Sequence, residues 1–517
     1  MKSSITSKRA LIFMVVLLIL AVPRLYGIGR DIVNYDEQHF RNSSYLFMNN
    51  FETGRYDELY VTVQPAAITM YSNIIGYKGL YFLKDKVGVI EAEDKNLDIL
   101  EERFEKIPKA VMLITLGIVL FYLVGKAYGT LFSLLFITIL SLEPFFLGNN
   151  RMMHTDSIPA FLIIISLFLF KLYYKPKPKI TLCLISVLMG LAIIEKSSTL
   201  IVLLVLIIYI AYRSYKLNRN WIADLLLFSS VTAITMVVFF PAFWGDFWHT
   251  WYSITLGSFI EGVKGLDFEA KTFAPDISNR KNYWYYLRFL YNKVSEVIFL
   301  GLISLLVIKF QKAHFYKSGK DFQQALKNWL RGFTNPLIIV PVVWFLIHEL
   351  SQKKIPSYLL ALFPFMALGA ALGYYEILKR KEIRVVLLIL GIIFLRWFQY
   401  SSLHPDYLLY INPLSLDKSY DKLDTAWGSG RVKLGDELVK RYGPSQTILT
   451  GDPTTLSLYY PGNVLLGTEY NCEVPFTLYI SLSVPTEETC YSPFLVYDTT
   501  ITIANSLDFR IYKFVKN

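Results

Sequence analysis

The sequence predicts an α-helical polytopic membrane protein with about eleven transmembrane helices and a small C-terminal α/β domain outside the membrane. Three observations predict it. Of the 517 residues, 54% are hydrophobic and 18% charged, which excludes a disordered chain and fits a single soluble globule poorly. Apolar segments long enough to cross roughly 30 Å of hydrocarbon recur along the first four-fifths of the chain. The last stretch then changes composition, to short β-rich runs broken by Gly, Pro, Asn and Asp.

The first span follows Lys2, Lys8 and Arg9 and runs from Ala10 to Val22, ahead of Pro23 and Arg24. No small-x-small cleavage site closes it, so it reads as an uncleaved span and not as a signal peptide. Further spans are expected near 108–126, 128–147, 156–173, 180–195, 197–212, 221–243, 289–309, 334–350, 356–376 and 384–402. With the N-terminus in the cytoplasm, the basic short loops share one side. These are Lys171 to Lys179, Arg213 to Arg219, Lys309 to Arg331 and Lys379 to Arg384. The net charge of +11, from 52 basic and 41 acidic residues, is therefore explained by topology, and nucleic acid is not expected as a partner.

An odd span count leaves the C-terminus outside, with the long outer loops 29–107 and 244–288. The expected division is a transmembrane domain over 1–402 and an extracytoplasmic α/β domain over 403–517, in a multi-pass protein of the cell (plasma or inner) membrane. Strands are expected at Thr447–Thr450, Val464–Leu466, Thr477–Leu482 and Phe494–Tyr497, with a helix near Val432–Arg441. Cys472 and Cys490 fall in this tail, where a disulfide can persist, or stand as two separate small hydrophobes; Cys183 lies in a span.

Acidic and polar residues gather at the outer ends of the spans. A transporter usually puts its ionisable groups at mid-membrane depth and keeps its loops short, so the placement argues for chemistry at an outer rim. Asp36, Glu37 and His39 follow span one, with Gln64 farther on. Adjacent carboxylates point different ways on a helix, so one can face a substrate while the other holds a helix end or a cation; a capped, solvated helix start is the plain alternative. Arg151, His154 and Asp156 lie in the turn between spans three and four, where Asp156 can also cap the next helix. Glu195 and Lys196 close span five, as a snorkelling pair or as an ammonium for a phosphate. Lys353, Lys354 and Tyr358 form a basic turn on the face where Lys is disfavoured, which suggests an anion such as a lipid phosphate. His404 and Asp406 follow the last span and can join the rim or anchor at the interface. No P-loop, dinucleotide fingerprint, H-E-x-x-H or nucleophile elbow stands in a fitting context. A rim of carboxylates and lysines suits a donor lipid with an anionic leaving group: a carboxylate takes a proton from an acceptor hydroxyl while cations or a metal stabilise the departing phosphate.

Seven strings in order resemble the polyprenyl-phosphate-sugar-dependent glycosyltransferases of the GT-C fold, which include protein O-mannosyltransferases and aminoarabinose transferases. They are Asp36-Glu37; L-E-P-F-F-L-G-N-N-R-M-M-H-T-D, ending at Asp156; G-L-A-I-I-E-K, ending at Lys196; F-P-A-F-W from Phe240; K-K-I-P-S-Y-L-L-A-L-F-P from Lys353; H-P-D-Y-L-L-Y-I-N-P-L from His404; and W-G-S-G from Trp427. The chain departs from the family's pattern at Gln64-Pro65, where relatives often carry His-Pro, at Ser357 in place of Arg, and at Ser429 in place of an acid.

The resemblance implies inverting transfer of a sugar to an acceptor hydroxyl on the outer face, with Asp36 as general base, Glu37 its partner and Asp156 a second acid. Lys196, Lys354, Arg151 and Tyr358 would meet the donor phosphate, and His39, Gln64, His154, Glu195, His404 and Asp406 complete the rim. The implied partners are a polyprenyl-phosphate sugar, the bilayer, and an acceptor protein, lipid or polysaccharide; a divalent cation near Asp36, Glu37 or Asp156 is open. A multispanning transporter or lipid flippase without transferase chemistry is the alternative.

Overall fold

The computed structural model describes residues 2–30, 35–62, 64–87, 94–258, 260, 284–314, 335–351, 354–379, 381–416, 430–451, 454–466, 476–481, 494–503 and 507–515. In chain order the helices of the first half are α1 (Lys2–Leu25), α2 (Tyr35–Glu52), α3 (Ala67–Phe82), α4 (Asp94–Tyr128), α5 (Thr130–Ser141), α6 (Pro144–Arg151), α7 (Ser157–Tyr173), α8 (Pro178–Glu195), α9 (Leu200–Lys216) and α10 (Trp221–Phe239). After them come α11 (Ala242–Gly245), α12 (Phe247–Tyr252), α13 (Tyr285–Lys293), α14 (Glu296–His314), α15 (Pro336–Leu350), α16 (Phe363–Ile377), α17 (Glu382–Leu403), α18 (Arg431–Tyr442) and α19 (Thr454–Tyr459). Cys472, Cys490, Lys353 and Trp427 to Ser429 lie outside the described residues.

Each expected span coincides with a helix or a bent pair of helices. Among the described residues six helices are long and apolar enough to cross a membrane singly: Ile99–Tyr128, Pro178–Glu195, Ser197–Lys216, Trp221–Phe239, Pro356–Ile377 and Glu382–Leu403. Ala10–Leu25, Ser157–Tyr173 and Pro336–Leu350 are shorter apolar helices. The segments expected at 128–147 and 289–309 are not straight: α5 and α6 meet at 68°, and α13 and α14 at 110°. A buried carboxylate ties the two bends together, because Glu143 at the first accepts a hydrogen bond of 3.0 Å from the Ser295 amide at the second, and another from its hydroxyl. The Ser295 amide and hydroxyl, at the break between α13 and α14, are thereby satisfied inside the protein, as a low-dielectric surround requires.

The expected outer loop 29–107 is largely helical, holding α2, α3 and the first turns of α4, which runs on through Pro108. Helix ends follow local chemistry. Asn220 and Asn335 cap α10 and α15 by accepting from the amides of Ala223 and Leu337, and Pro178 and Pro336 occupy first-turn positions where no amide hydrogen is needed. Close packing between α14 and α16 depends on Gly301 and Gly373, since a Cβ on Gly373 would lie 2.0 Å from the Gly301 carbonyl oxygen.

Among its described residues the tail forms a five-stranded sheet of β1 (Thr447–Thr450), β2 (Asn463–Leu466), β3 (Leu478–Ser481), β4 (Leu495–Ile503) and β5 (Leu507–Phe514), in the order β2-β1-β3-β5-β4. β1 is parallel to β2 and β3, while β5 is antiparallel to β3 and β4. β5 was not expected, although Leu507, Phe509 and Ile511 alternate with polar residues as a half-buried strand does. Leu434 and Leu438 of α18 join Ile448, Ile480 and Ile511 in a core that also takes in Leu147 of α6 and Leu403 of α17. The sheet is thus seated on the same end of the helical bundle as the bend after α5.

Candidate active site

The first turn of α2 carries Asp36 and Glu37, and consecutive helical side chains diverge by about 100°. Their surroundings differ accordingly. Asp36 is 45% exposed, with His154 Nε2 3.4 Å from its Oδ2. The other ring nitrogen of His154, Nδ1, lies 2.6 Å from Asp156 Oδ2. Asp156 is in turn ion-paired with Lys196, whose ammonium sits 4.3 Å from the centre of the Tyr358 ring. The result is a continuous row, Asp36, His154, Asp156, Lys196 and Tyr358, open at its Asp36 end. Asp156 directly precedes α7, but its side chain caps nothing there; it is turned to His154 and Lys196.

Charge in the row shifts its titrations. Burial works against the ionised forms throughout, but the His154 contact outweighs it at Asp36, and Lys196 with His154 outweighs it at Asp156, so both carboxyls fall below the usual aspartate value. His154 is desolvated too, yet the two flanking carboxylates raise it above an ordinary imidazole.

Glu37 points the other way and is 1% exposed. Its Oε1 lies 2.8 Å from Lys106 Nζ and accepts a 3.1 Å hydrogen bond from the Met153 amide. Lys106 also pairs with Glu102; Arg41 bridges Glu102 and Glu105, the latter at 2.7 Å; and Tyr45 donates to Glu105. Burial raises the Glu37 carboxyl to about 7 against the pull of Lys106. Beside this closed network, Lys109 donates to the carbonyls of Met152 and His154 at 2.6 and 2.5 Å, fixing the backbone of the His154 loop from below. Lys106 and Lys109 were missed in the sequence because Lys106 precedes the expected apolar run and Lys109 falls just inside its start. The signal was present: Glu102, Lys106 and Lys109 recur at helical spacing on one face.

The remaining rim residues have identifiable work. Glu195 accepts from the amides of Ile68 and Thr69 at 2.9 and 3.0 Å, so it is the N-terminal cap of α3, delivered from the end of α8. It does not snorkel beside Lys196. Gln64 accepts from the Thr155 hydroxyl at 2.9 Å, and His39 meets Thr62 at 3.1 Å. Lys354 donates to the last carbonyls of α15, those of His348 (3.0 Å) and Glu349, and its ammonium lies 5.1 Å from the Tyr286 ring centre; a helix C-terminus supplies the negative pole that its position on this face required. Arg151 donates to the Pro23 carbonyl at 2.7 Å and lies over Tyr407. His404 meets the Tyr407 hydroxyl at 2.9 Å, and Asp406 accepts from the Gly430 amide at 2.6 Å, at the start of α18. Tyr358 is brought to the row; Arg151, Lys354, His404 and Asp406 hold elements together. Among the described residues no group of three or more His, Cys, Asp or Glu is arranged to hold a metal ion. Asp156 and Glu37 are each turned to a lysine, so the donor set does not fit a cation and no step is routed through one.

No family model matches the chain, and no curated protein matches it. Solved structures do. Over 98% of both chains, at 13% identity and a TM-score of 0.50, the structure is similar to ArnT from Cupriavidus metallidurans bound to undecaprenyl phosphate. The chain has the GT-C fold. The apo state of the same ArnT aligns at a TM-score of 0.48 over 99% of this chain and 98% of that one, again at 13% identity. The Archaeoglobus fulgidus oligosaccharyltransferase, in complex with Zn and sulfate, aligns at 0.41 and 10% identity over 88% of this chain and 62% of that one. With this fold and its apolar helices, the chain is an integral membrane protein.

Proposed function

We propose that the chain is a membrane glycosyltransferase that moves a sugar from a polyprenyl-phosphate donor to an acceptor hydroxyl on the outer membrane face, inverting the anomeric centre, with Asp36 as general base. The observation that carries the proposal is the half-exposed Asp36 carboxylate at the open end of the row that ends on Lys196, in a chain with the fold of an undecaprenyl-phosphate-binding transferase. A carboxylate kept ionised and partly accessible is what a proton acceptor needs. Asp36 takes the proton as the acceptor oxygen attacks the anomeric carbon, and the bond to the phosphate oxygen breaks, with its electron pair leaving on the polyprenyl phosphate. His154, held by Asp156, orients Asp36, and protonated it offsets charge in the row. Lys196, above Tyr358, is the cation assigned to the departing phosphate. The donor enters from the bilayer with the N-terminus cytoplasmic and residues 403–517 outside. Mass spectrometry of surface glycans and glycoproteins from cells carrying the wild-type chain or Asp36→Asn tests the reading. The expected result is a sugar modification lost in the variant at equal protein level; identical profiles would overturn it.

A further inference from the structure

After α10 the chain turns and lays α11, α12 and the π-helical turn Ser253–Gly257 end to end. The path is short and firmly held. The Trp244 indole donates to the Val237 carbonyl at 2.7 Å, the Thr250 hydroxyl to the Ala242 carbonyl at 3.1 Å, and Asp246 caps α12 by accepting from the His249 amide at 2.9 Å. Gly245 sits so close to the backbone of Tyr56 that a Cβ there would clash, so the shelf is fixed on the chain that follows α2. Phe243, Thr250 and Ile254 are buried beneath it.

The outward side is unusual for a surface that meets water. Trp244, Phe247, Trp248, Trp251 and Tyr252 are all exposed, Trp248 by 76%. Among them stand the polar groups Asp246 and His249. An apolar groove of about 250 Å³ runs between the shelf and α10, lined by residues including Ile234, Val238, Phe243, Phe247 and Trp251. At Ile234 and Val238 the groove joins the shelf to the exposed apolar side of the spanning helix α10, where Phe239 and, farther along, Leu226 are also exposed. A contiguous apolar patch of this kind in water would be costly. Rings with one polar edge, mixed with short polar side chains and continuous with a lipid-facing helix, suit the boundary between hydrocarbon and headgroups.

We propose that residues 242–257 form an interfacial membrane anchor, with the indoles of Trp248 and Trp251 at headgroup level and a phospholipid acyl chain in the groove against α10. This goes beyond the transferase reading and does not depend on it.

The test uses the full chain in phosphatidylcholine vesicles whose acyl chains carry bromine either near the headgroup or near the chain end. Tryptophan fluorescence is compared between wild type and Trp248→Phe/Trp251→Phe, and the difference reports the two indoles. Trp248→Phe alone repeats the reading should the double variant insert poorly. The expected result is that most of the difference signal is lost to the shallow bromine, less to the deep one, and little to aqueous acrylamide. Stronger quenching by the deep bromine, quenching by acrylamide alone, or protection from every quencher would each overturn the anchor, by placing the shelf in hydrocarbon, in water or under another protein. No outcome depends on glycosyl transfer.

Discussion

Two charged networks leave the first turn of α2 in different directions. The Glu37 network is closed: Lys106, Glu102, Arg41, Glu105 and Tyr45 answer one another, and Glu37 also takes the Met153 amide. The Asp36 row is open: His154, Asp156 and Lys196 meet in series and the first carboxylate keeps nearly half of its surface. The same dipeptide thus supplies one carboxylate enclosed by partners and one left partly open to solvent, the one proposed as base. Burial with matched partners makes a joint, whereas a partner on one side and solvent on the other leaves capacity to act on something else.

Substitutions in the closed network should break folding before chemistry. Lys106→Met leaves Glu37 and Glu102 buried without their shared cation, and losing one partner of a buried pair costs about 3–5 kcal/mol. The expected outcome is a large fall in the thermal unfolding temperature of the detergent-purified protein. Substitutions in the open row should cost chemistry as well. Lys196→Met removes the cation assigned to the departing phosphate, and transfer per folded molecule should fall by about 10²-fold, the scale seen when one charge-stabilising donor is lost. Lys196 and Asp156 are themselves a buried pair, so unfolding should also come earlier, and transfer is compared with Lys106→Met at equal folded protein.

The pH dependence distinguishes them further. His154 is raised in the folded protein, so its contribution to stability is fully present below its unfolded value and is lost as pH rises through the folded one. Asp36 and Asp156 are lowered, so theirs is present above the ordinary aspartate value and is lost on acidification. His154→Gln should therefore unfold earlier than wild type in mildly acidic buffer, and the gap should close as pH is raised; a gap that widens with pH would contradict the assigned contacts. The smallest effect is expected from Glu195→Gln. It weakens the cap on α3 by about 1 kcal/mol while leaving the Asp36 row intact, read as a modest loss of stability with transfer retained.

The sequence made the bundle legible because lipid demands long apolar runs, and all eleven segments proved helical. The bend at Glu143 had a local sign in Pro144, which opens α6 and was read through as one straight span; the contact of Glu143 with Ser295, about 150 residues away, had none. The dipeptide Asp36-Glu37, with His154, Asp156 and Lys196, was readable as a set of chemical residue types at one rim. Their partners were not readable: whether a lysine meets a phosphate, a carboxylate or a helix end is a tertiary fact, and Lys196 and Lys354 turned out differently.

The account stands most directly on one comparison. Wild-type and Asp36→Asn protein, each shown to be folded by thermal unfolding, are reconstituted with polyprenyl-phosphate-linked radiolabelled sugars, and the release of free polyprenyl phosphate is measured with an acceptor fraction present. The account predicts that the wild type discharges at least one such donor. It predicts that Asp36→Asn binds the donor comparably but discharges it about 10² to 10⁴ times more slowly, the range for losing a general base. Discharge by Asp36→Asn at the wild-type rate would contradict it.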